Sequence, residues 1–561
     1  MDARRERLVL VAVSAGLASL VFLPVLGRGF VLSYDMVFAQ RQSLVPDALG
    51  LGSALPRSVP ADAVIALATA VIPGDVVQKI VLVLSLFMAA YGAARLVPTE
   101  QLGTRIVAAT AYAWTAYFAE RLFIGHWPLL LTYACLPWIA GAALSVRRNE
   151  PRAFARLVLA CAPAVLTPPG GVLATLTAIV LAGPRKLGHT LGLAVVLNLP
   201  WLVPTLLHEG GTLSDPAGVA AFSARAESWG PAILSVLGLG GIWNGDVVPG
   251  SRGAPMAPVL ILVTVAVAMA GLRPLARRWG TAPPRALLLL GVLGVVLAAL
   301  ATLPFGEPVL SWAMEHVPGA GLLRDAQKWV AWWALPVALG FALAAEAAAA
   351  RLKAGAGALI VAAALFPLLT MPDLAWGGWG RIEAVPYPED WNAVHRVLAE
   401  DDRPGDVVAL PLSTFRGFAW NDHRTQLDPA PRALPETVLV DDTLRVGGEE
   451  IDGEDSRMDR VRAAKSPEDL SAAGIGWILV EHGTPGRVDP RLLTGTQRVW
   501  SGDWLTLYRT PGEPAVTETR SPVPVVLANG VALLSIAAAL LCLKLPVRTL
   551  SRRRNSLPRK E

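Results

Sequence analysis

Charged residues are scarce in this sequence, at 17% of 561 residues, where a soluble domain carries about 25%. Hydrophobic residues make up 53%, and the mean hydropathy is +0.49. These values exclude a soluble protein with one apolar anchor, a disordered chain, a coiled coil and a collagen. The net charge of +5 does not indicate a nucleic-acid partner, because the basic residues form short clusters between apolar runs, as membrane orientation requires.

Several chemical signatures are missing too. The three cysteines, Cys135, Cys161 and Cys542, all lie inside apolar runs, so they cannot form a disulfide scaffold in a water-exposed domain. The sequence contains no Walker A, GxSxG, HExxH or CxxC motif. ATP-driven transport and the common hydrolase mechanisms therefore lack support.

The apolar runs predict about twelve transmembrane helices, since a helix needs about 20 residues to cross the hydrocarbon. The first run could pass for a signal peptide, but it lacks an A-x-A site and we interpret it as an uncleaved span. The Thr-Pro-Pro-Gly-Gly stretch at 167–171 predicts either a tight hairpin or a broken re-entrant helix. The predicted spans are 8–26, 76–96, 104–120, 128–146, 154–168, 170–184, 189–207, 257–273, 286–303, 329–349, 355–371 and 523–543.

Clusters of Lys and Arg predict the orientation of these spans. They precede the first span, follow the fourth, sixth, tenth and last spans, and separate the eighth from the ninth. With twelve spans, all of these clusters fall on one side. We therefore expect a multi-pass protein of the bacterial plasma membrane with both termini cytoplasmic. The segments expected outside are 27–75, 121–127, 208–256, 304–328 and 372–522.

Residues 372–522 differ from the rest of the chain, with frequent charges and short apolar runs. Helix-like and strand-like stretches alternate there, which predicts one extracytoplasmic α/β or α+β domain. The chain then divides into a membrane core at 1–371, this domain, and a last span with a basic cytoplasmic tail at 523–561. An acidic stretch at 441–459 could bind calcium, but its spacing fits no EF-hand and we interpret it as a solvated loop.

Asp35 stands just after the first span, on the predicted outer side. A carboxylate near the bilayer edge is costly to desolvate and usually has a function. It could act as a general base or hold a divalent cation against a phosphate. The alternative is an interfacial residue that pairs with Arg28 or Arg41.

Glu120, Arg121, His126 and Trp127 form a second polar cluster, where the third span emerges. They could line a substrate cavity, or they could be an interfacial ion pair with an aromatic belt. His126 alone does not indicate a metal site, because no second His or Cys is spaced to join it.

Arg324 and Lys328 lie four residues apart, on one face of a helical segment before the tenth predicted span. Positive charge is the exception on the outer side, so it requires a local reason. A lipid phosphate or pyrophosphate is the simplest one. The alternative is a pair with Asp325 or Glu315.

Three stretches resemble known membrane glycosyltransferases. They are Gly125-His126-Trp127 with the following Tyr133–Trp138, the Arg324–Trp329 stretch, and Val408–Phe418. With the many spans, the acidic first outer loop and the C-terminal outer domain, the sequence resembles lipid-sugar-dependent glycosyltransferases of the GT-C superfamily. Within that superfamily it is similar to the actinobacterial arabinofuranosyltransferases, and it also resembles the YfhO-type membrane proteins.

The resemblance implies a function and a set of site residues. A polyprenyl-phosphate sugar would enter from the bilayer, with its phosphate against Arg324, Lys328 and Arg121. Asp35 would deprotonate an envelope glycan or glycolipid acceptor, which would displace the phosphate with inversion. Glu120, His126 and Trp127 would line the substrate cavity. No cofactor is implied beyond the divalent cation that Asp35 could hold.

Two other functions stay open at this stage. One is a transporter or flippase for a lipid-linked glycan, which predicts charged or broken helices near the bilayer midplane. The other is a non-catalytic scaffold of envelope assembly. Close approach of Asp35 to Arg324 and Lys328 would favour the enzyme.

Overall fold

The computed structural model describes residues 2–53, 55–208, 213–515 and 520–545. They form a helical bundle that carries a sheet-containing domain near the C-terminus. Eight helices of the described ranges are long and apolar enough to cross a membrane. These are Ala3–Val25, Gly74–Leu96, Trp127–Arg147, Pro184–Leu206, Ala257–Trp279, Ala282–Leu300, Ala326–Ala349 and Val523–Lys544.

The structure does not confirm twelve full-length spans. The predicted span 104–120 is two helices, Leu102–Ala113 and Ala116–Phe123. It breaks because the Thr115 side chain accepts a hydrogen bond from the Phe118 backbone N–H and so begins a new helix. The predicted span 355–371 is Ala356–Thr370, followed after a 64° bend by Pro372–Gly380.

The two runs around residues 167–171 are short helices, Ala153–Cys161 and Pro168–Ala182. Proline fits the first turn of a helix but not its interior, so the second helix begins at Pro168. Neighbours bind the connecting backbone: Thr132 Oγ1 donates to the Ala164 carbonyl at 2.9 Å, and the Ala61 N–H donates to the Leu166 carbonyl at 3.2 Å. The rest of the bundle therefore supports the connection between these two short helices, as either a hairpin or a re-entrant helix would require.

The predicted basic loops meet at one end of the bundle, which we call the basic end. Arg105 pairs with Glu6, and Arg278 pairs with Glu346 at 2.5 Å and donates to the Pro98 carbonyl at 2.8 Å. The predicted basic tail, residues 546–561, lies outside the described residues. The opposite end carries the C-terminal domain, and we call it the domain end.

The C-terminal domain is built on a mixed five-stranded sheet. Strand Asp406–Leu410 pairs in parallel with Val438–Leu439 and Ile475–Glu481, and the last two strands are antiparallel. Buried side chains on each face of the sheet pack against helices, among them Asp390–Glu400 on one face and Pro467–Ala472 on the other. The strands in spatial order are Gln497–Ser501, Leu505–Arg509, Ile475–Glu481, Asp406–Leu410 and Val438–Leu439.

The C-terminal domain binds the loop that follows the first helix. Strand Phe30–Val31 pairs with Ala384–Val385, and the Tyr34 N–H donates to the Thr425 carbonyl at 2.6 Å. The Asn421 side chain donates to the Leu32 carbonyl at 3.3 Å. These contacts fix the backbone on both sides of Ser33, and they thereby fix the position of Asp35.

Candidate active site

Asp35 lies in a tight turn whose ends, Ser33 and Met36, hydrogen-bond to each other. The turn rests on the end of helix Ala116–Phe123: the Asp35 N–H donates to the Ile124 carbonyl at 3.1 Å. Gly125 permits this contact, because its φ is +84° and a Cβ there would lie 2.1 Å from the Met36 nitrogen. The Asp35 carboxylate is therefore held at a fixed place, with its side chain 35% exposed.

His126 links Asp35 to a buried cation. Its Nε2 lies 2.7 Å from Asp35 Oδ2, and its Nδ1 lies 2.7 Å from Nη1 of Arg121. A guanidinium can only donate, so Nδ1 accepts and Nε2 carries the hydrogen. His126 is therefore a neutral imidazole that donates to Asp35 and leaves Asp35 Oδ1 available to a substrate.

Arg121 has a different environment from the one expected. It is fully buried, and its two terminal nitrogens donate to the Asp325 oxygens at 2.6 and 3.0 Å. Gln327 accepts a further bond from it. The structure does not place Arg121 as expected for contact with a donor phosphate, because the side chain is buried and both of its terminal nitrogens already have partners. Arg121 instead orients His126.

Glu120 is also buried rather than exposed to a cavity. It accepts hydrogen bonds from Gln327 Nε2 at 3.1 Å and from the Ile242 N–H at 3.2 Å. Glu227 lies against it around Gly240 and pairs with Arg252 at 2.6 Å. Glu120 therefore stabilises the Arg121 cluster through Gln327, which hydrogen-bonds to both residues.

Trp127 packs in the bundle core. It is 5% exposed, and its ring centre lies 5.2 Å from that of Phe38. The structure thus gives Trp127 the role of a buried aromatic residue at the start of helix Trp127–Arg147, and not of a cavity wall.

Arg324 and Lys328 lie beside this cluster and, within the described part of the chain, form no ion pair with a carboxylate. Lys328 is 7% exposed, and its Nζ donates to the Arg324 carbonyl at 2.5 Å. The Arg324 guanidinium lies 5.0 Å from the ring centre of Phe222. Burial, with Arg57 nearby, lowers the pKa of Arg324 to about 10. One buried and one half-buried cation that form no ion pair in the described part of the chain make a site that an anion would stabilise.

Asp325 connects the two parts of the site. It stands between the two free cations in sequence and binds Arg121. Its φ of +53° turns the backbone at this point, a conformation that Asp adopts more readily than most residues. Contacts of 2.7, 2.7 and 2.6 Å thus run from Asp35 through His126 and Arg121 to Asp325, whose chain neighbour is Arg324.

The acidic stretch 441–459 is only partly the solvated loop that its composition predicts: Glu449, Glu450, Asp452 and Asp459 are exposed, whereas other acidic residues contact neighbouring loops. Glu454 pairs with Arg57 at 2.5 Å, and the Asp452 N–H donates to Asp215 at 2.8 Å. Ser53 donates to Asp455 at 2.9 Å. The stretch therefore packs on the first loop, close to Arg324. In the described part of the chain, no three His, Cys, Asp or Glu side chains are placed to hold a metal ion together.

No family model and no curated protein matches this sequence. The fold is similar to that of a solved structure. That structure is arabinofuranosyltransferase AftD from Mycobacteria. The two superpose with a TM-score of 0.56 at 17% identity, over 92% of this chain and 40% of AftD. The chain spans less than half the length of AftD, and the likeness confirms the fold that the sequence resemblance implied.

Two residues of the site, Gln327 and Arg57, were missed by sequence reasoning. Asp325 was considered only as an ion-pair partner of Arg324 or Lys328, and the structure pairs it with Arg121 instead. Glu227 and Arg57 come from distant loops, and only the AftD-like fold brings them to this cluster.

Proposed function

We propose that this chain is a membrane glycosyltransferase of the GT-C type. It moves a sugar from a polyprenyl-phosphate donor to an envelope glycan or glycolipid on the side of the C-terminal domain, which is extracytoplasmic in a bacterial plasma membrane. The observation that carries the proposal is the chain of contacts that links Asp35 through His126 and Arg121 to Asp325, the chain neighbour of Arg324. The AftD fold supports it.

Asp35 is the general base. Its Oδ1 takes the proton of an acceptor hydroxyl while that oxygen attacks the anomeric carbon of the donor sugar. Direct displacement of this kind inverts the anomeric centre. His126 is a positioning residue, because its Nε2–H fixes the other carboxylate oxygen. Base catalysis of this type contributes about 10²–10⁴-fold.

Arg324 and Lys328 bind the phosphate of the lipid donor. As the bond from the anomeric carbon to the phosphate oxygen breaks, negative charge grows on the leaving polyprenyl phosphate. Preorganised cations at that position stabilise the transition state more than the ground state. Lys328 lies in the first turn of helix Ala326–Ala349 and Arg324 lies just before that helix, and in this proposal the lipid headgroup lies at the same end of the bundle.

The acceptor site lies between the Asp35 turn and the C-terminal domain. A cavity of about 210 Å³ there is lined by Ser33 and Tyr34 from the turn and by Arg381 and Arg424 from the domain side. Charged side chains next to an aromatic ring suit the hydroxyl groups and faces of a sugar.

Transfer of radiolabelled sugar by the purified chain tests the proposal. A panel of polyprenyl-phosphate sugars is offered with envelope glycan acceptors. We expect transfer by the wild type and a fall of about a hundredfold or more in Asp35→Asn. The matched control is Asp422→Asn, the same change at an exposed position of the C-terminal domain.

The outcomes separate the competing functions. Equal transfer by wild type and Asp35→Asn would support the glycosyltransferase function but would exclude Asp35 as its general base. Absence of transfer across the panel, in a chain that moves a labelled lipid-linked glycan between leaflets, would replace the enzyme by a transporter. A chain that shows neither transfer nor transport would favour the scaffold function.

A further inference from the structure

A second cavity lies at the basic end of the bundle, opposite the candidate active site. Its volume is about 540 Å³, within the range of small-molecule sites. Helices Gly74–Leu96, Trp127–Arg147 and Ala153–Cys161 form its walls, and the ends of Ala257–Trp279 and Val523–Lys544 close it. Nothing in the glycosyl-transfer mechanism uses this cavity.

Three arginines line the cavity, and the Glu150 carboxylate neutralises only part of their charge. Arg156 lies 3.1 Å from Glu150, and Arg148 lies 3.8 Å from the same side chain. Arg95 forms no ion pair within the described ranges and instead lies over the rings of Tyr91 and Trp138, at 5.9 and 6.0 Å from their centres. The cavity therefore carries an excess of positive charge.

The rest of the cavity is apolar. Its lining includes Met88, Leu96, Leu159, Pro163 and Leu543. Trp138 is held across it, since its indole N–H donates to the Met88 carbonyl at 3.1 Å. Gly92 makes room for this ring, because a Cβ there would lie 2.6 Å from Trp138 Nε1. Charge at one end of an apolar cleft between helices matches an amphiphile with an anionic headgroup.

We propose that this cavity binds the phosphate headgroup of an anionic membrane lipid. Arg95, Arg148 and Arg156 bind the phosphate, and the apolar lining takes the start of the acyl chains. Basic pockets between helices at the membrane surface recognise such headgroups, and arginine binds phosphate oxygens in a bidentate manner. The site is separate from Asp35 and does not depend on the proposed transfer reaction.

The chain's own C-terminal segment is not a suitable occupant on grounds of charge. Residues 546–561 contain six basic residues and one acidic residue. They follow Leu545, next to the cavity residue Leu543, and they would add to the positive charge instead of neutralising it.

Lipid binding to the purified full-length chain tests the proposal. The chain is placed in nanodiscs of phosphatidylcholine, and binding of added phosphatidylglycerol is measured by native mass spectrometry. We expect about one tightly bound phosphatidylglycerol per chain, and at least tenfold weaker binding in the Arg95→Gln/Arg156→Gln variant. The control is Arg185→Gln, which removes an exposed arginine that follows helix Pro168–Ala182 and does not line the cavity.

A second variant fills the cavity without removing charge. Gly141→Leu points a side chain into it, since a Cβ at Gly141 would make only an ordinary contact of 3.7 Å with Leu96. We expect it to weaken lipid binding as the arginine variant does. Unchanged binding in both variants would overturn the proposal. Inorganic phosphate that binds as tightly as the lipid would also overturn it, because the acyl chains would then contribute nothing.

Discussion

Replacement of His126 tests how Asp35 is positioned. His126→Ala removes the donor at 2.7 Å from Asp35 Oδ2, while Arg121 keeps Asp325 and Gln327 as partners. A hydrogen bond to a charged group contributes about 1.5–3 kcal/mol. If all of it serves to orient the base, kcat/KM falls about 10–150-fold. This loss is smaller than the one expected for Asp35→Asn, because the carboxylate is still present.

His126→Gln separates orientation from proton transfer. A glutamine amide offers one donor group and one acceptor, as the neutral imidazole does, but it cannot take up a proton. We therefore expect His126→Gln to restore a good part of the activity that His126→Ala loses. The assay is initial-rate sugar transfer at several donor concentrations, with His316→Ala as an exposed-histidine control.

The double variant gives the sharpest check. If His126 acts only through Asp35, the Asp35→Asn/His126→Ala variant is as slow as Asp35→Asn alone, to within about twofold. Full activity in His126→Ala would refute the positioning role. A His126→Gln variant as slow as His126→Ala would instead make the imidazole a proton carrier.

Three further predictions concern charge. Lys328→Gln and Arg324→Gln should each raise the donor KM and lower kcat/KM at least tenfold, since a charge-assisted bond to phosphate is lost; unchanged kinetics would remove the phosphate role. Arg416→Met should destabilise the chain by about 3–5 kcal/mol, because two buried carboxylates lose their shared counterion, and a thermal melt that does not move would contradict this. Burial raises the pKa of Asp47 from 3.8 to about 6, so the folded state binds a proton at Asp47 more tightly than the unfolded state does. Protonation of Asp47 therefore stabilises the folded state fully below about pH 4, and this stabilisation is lost as the pH rises through about 6. Asp47→Asn should therefore raise the Tm at pH 7.5 but not at pH 4, and a gain only at pH 4 would refute that sign.

The membrane bundle could be predicted well from the apolar runs, because each predicted span contains a helix. The points at which predicted spans break into shorter helices could not be predicted from the apolar runs. The helix Leu102–Ala113 ends before Trp114, and Thr115 begins the next helix through a single side-chain hydrogen bond. The prolines and glycines at 167–171 predict the interruption there, but the contacts that support it come from Thr132 and Ala61, which are distant in sequence.

The candidate site shows where residue patterns stop being informative. Charge in an apolar context is what singles out Asp35, Arg324 and Lys328 as candidates. It could not show that Arg121 is already bound by Asp325, because a bidentate pair between residues 204 positions apart is a property of the fold. The packed part of the acidic stretch 441–459 could not be predicted for the same reason, because its partner Arg57 lies in another loop.

A structure of the wild-type chain with bound polyprenyl phosphate tests the central claim most directly. The account predicts phosphate oxygens at hydrogen-bond distance, about 3 Å, from Lys328 and Arg324, with the Asp35 carboxylate facing the space above them. Phosphate bound only at the basic end, among Arg95, Arg148 and Arg156, would contradict it. So would a lipid phosphate too far from Asp35 for one sugar ring to reach both.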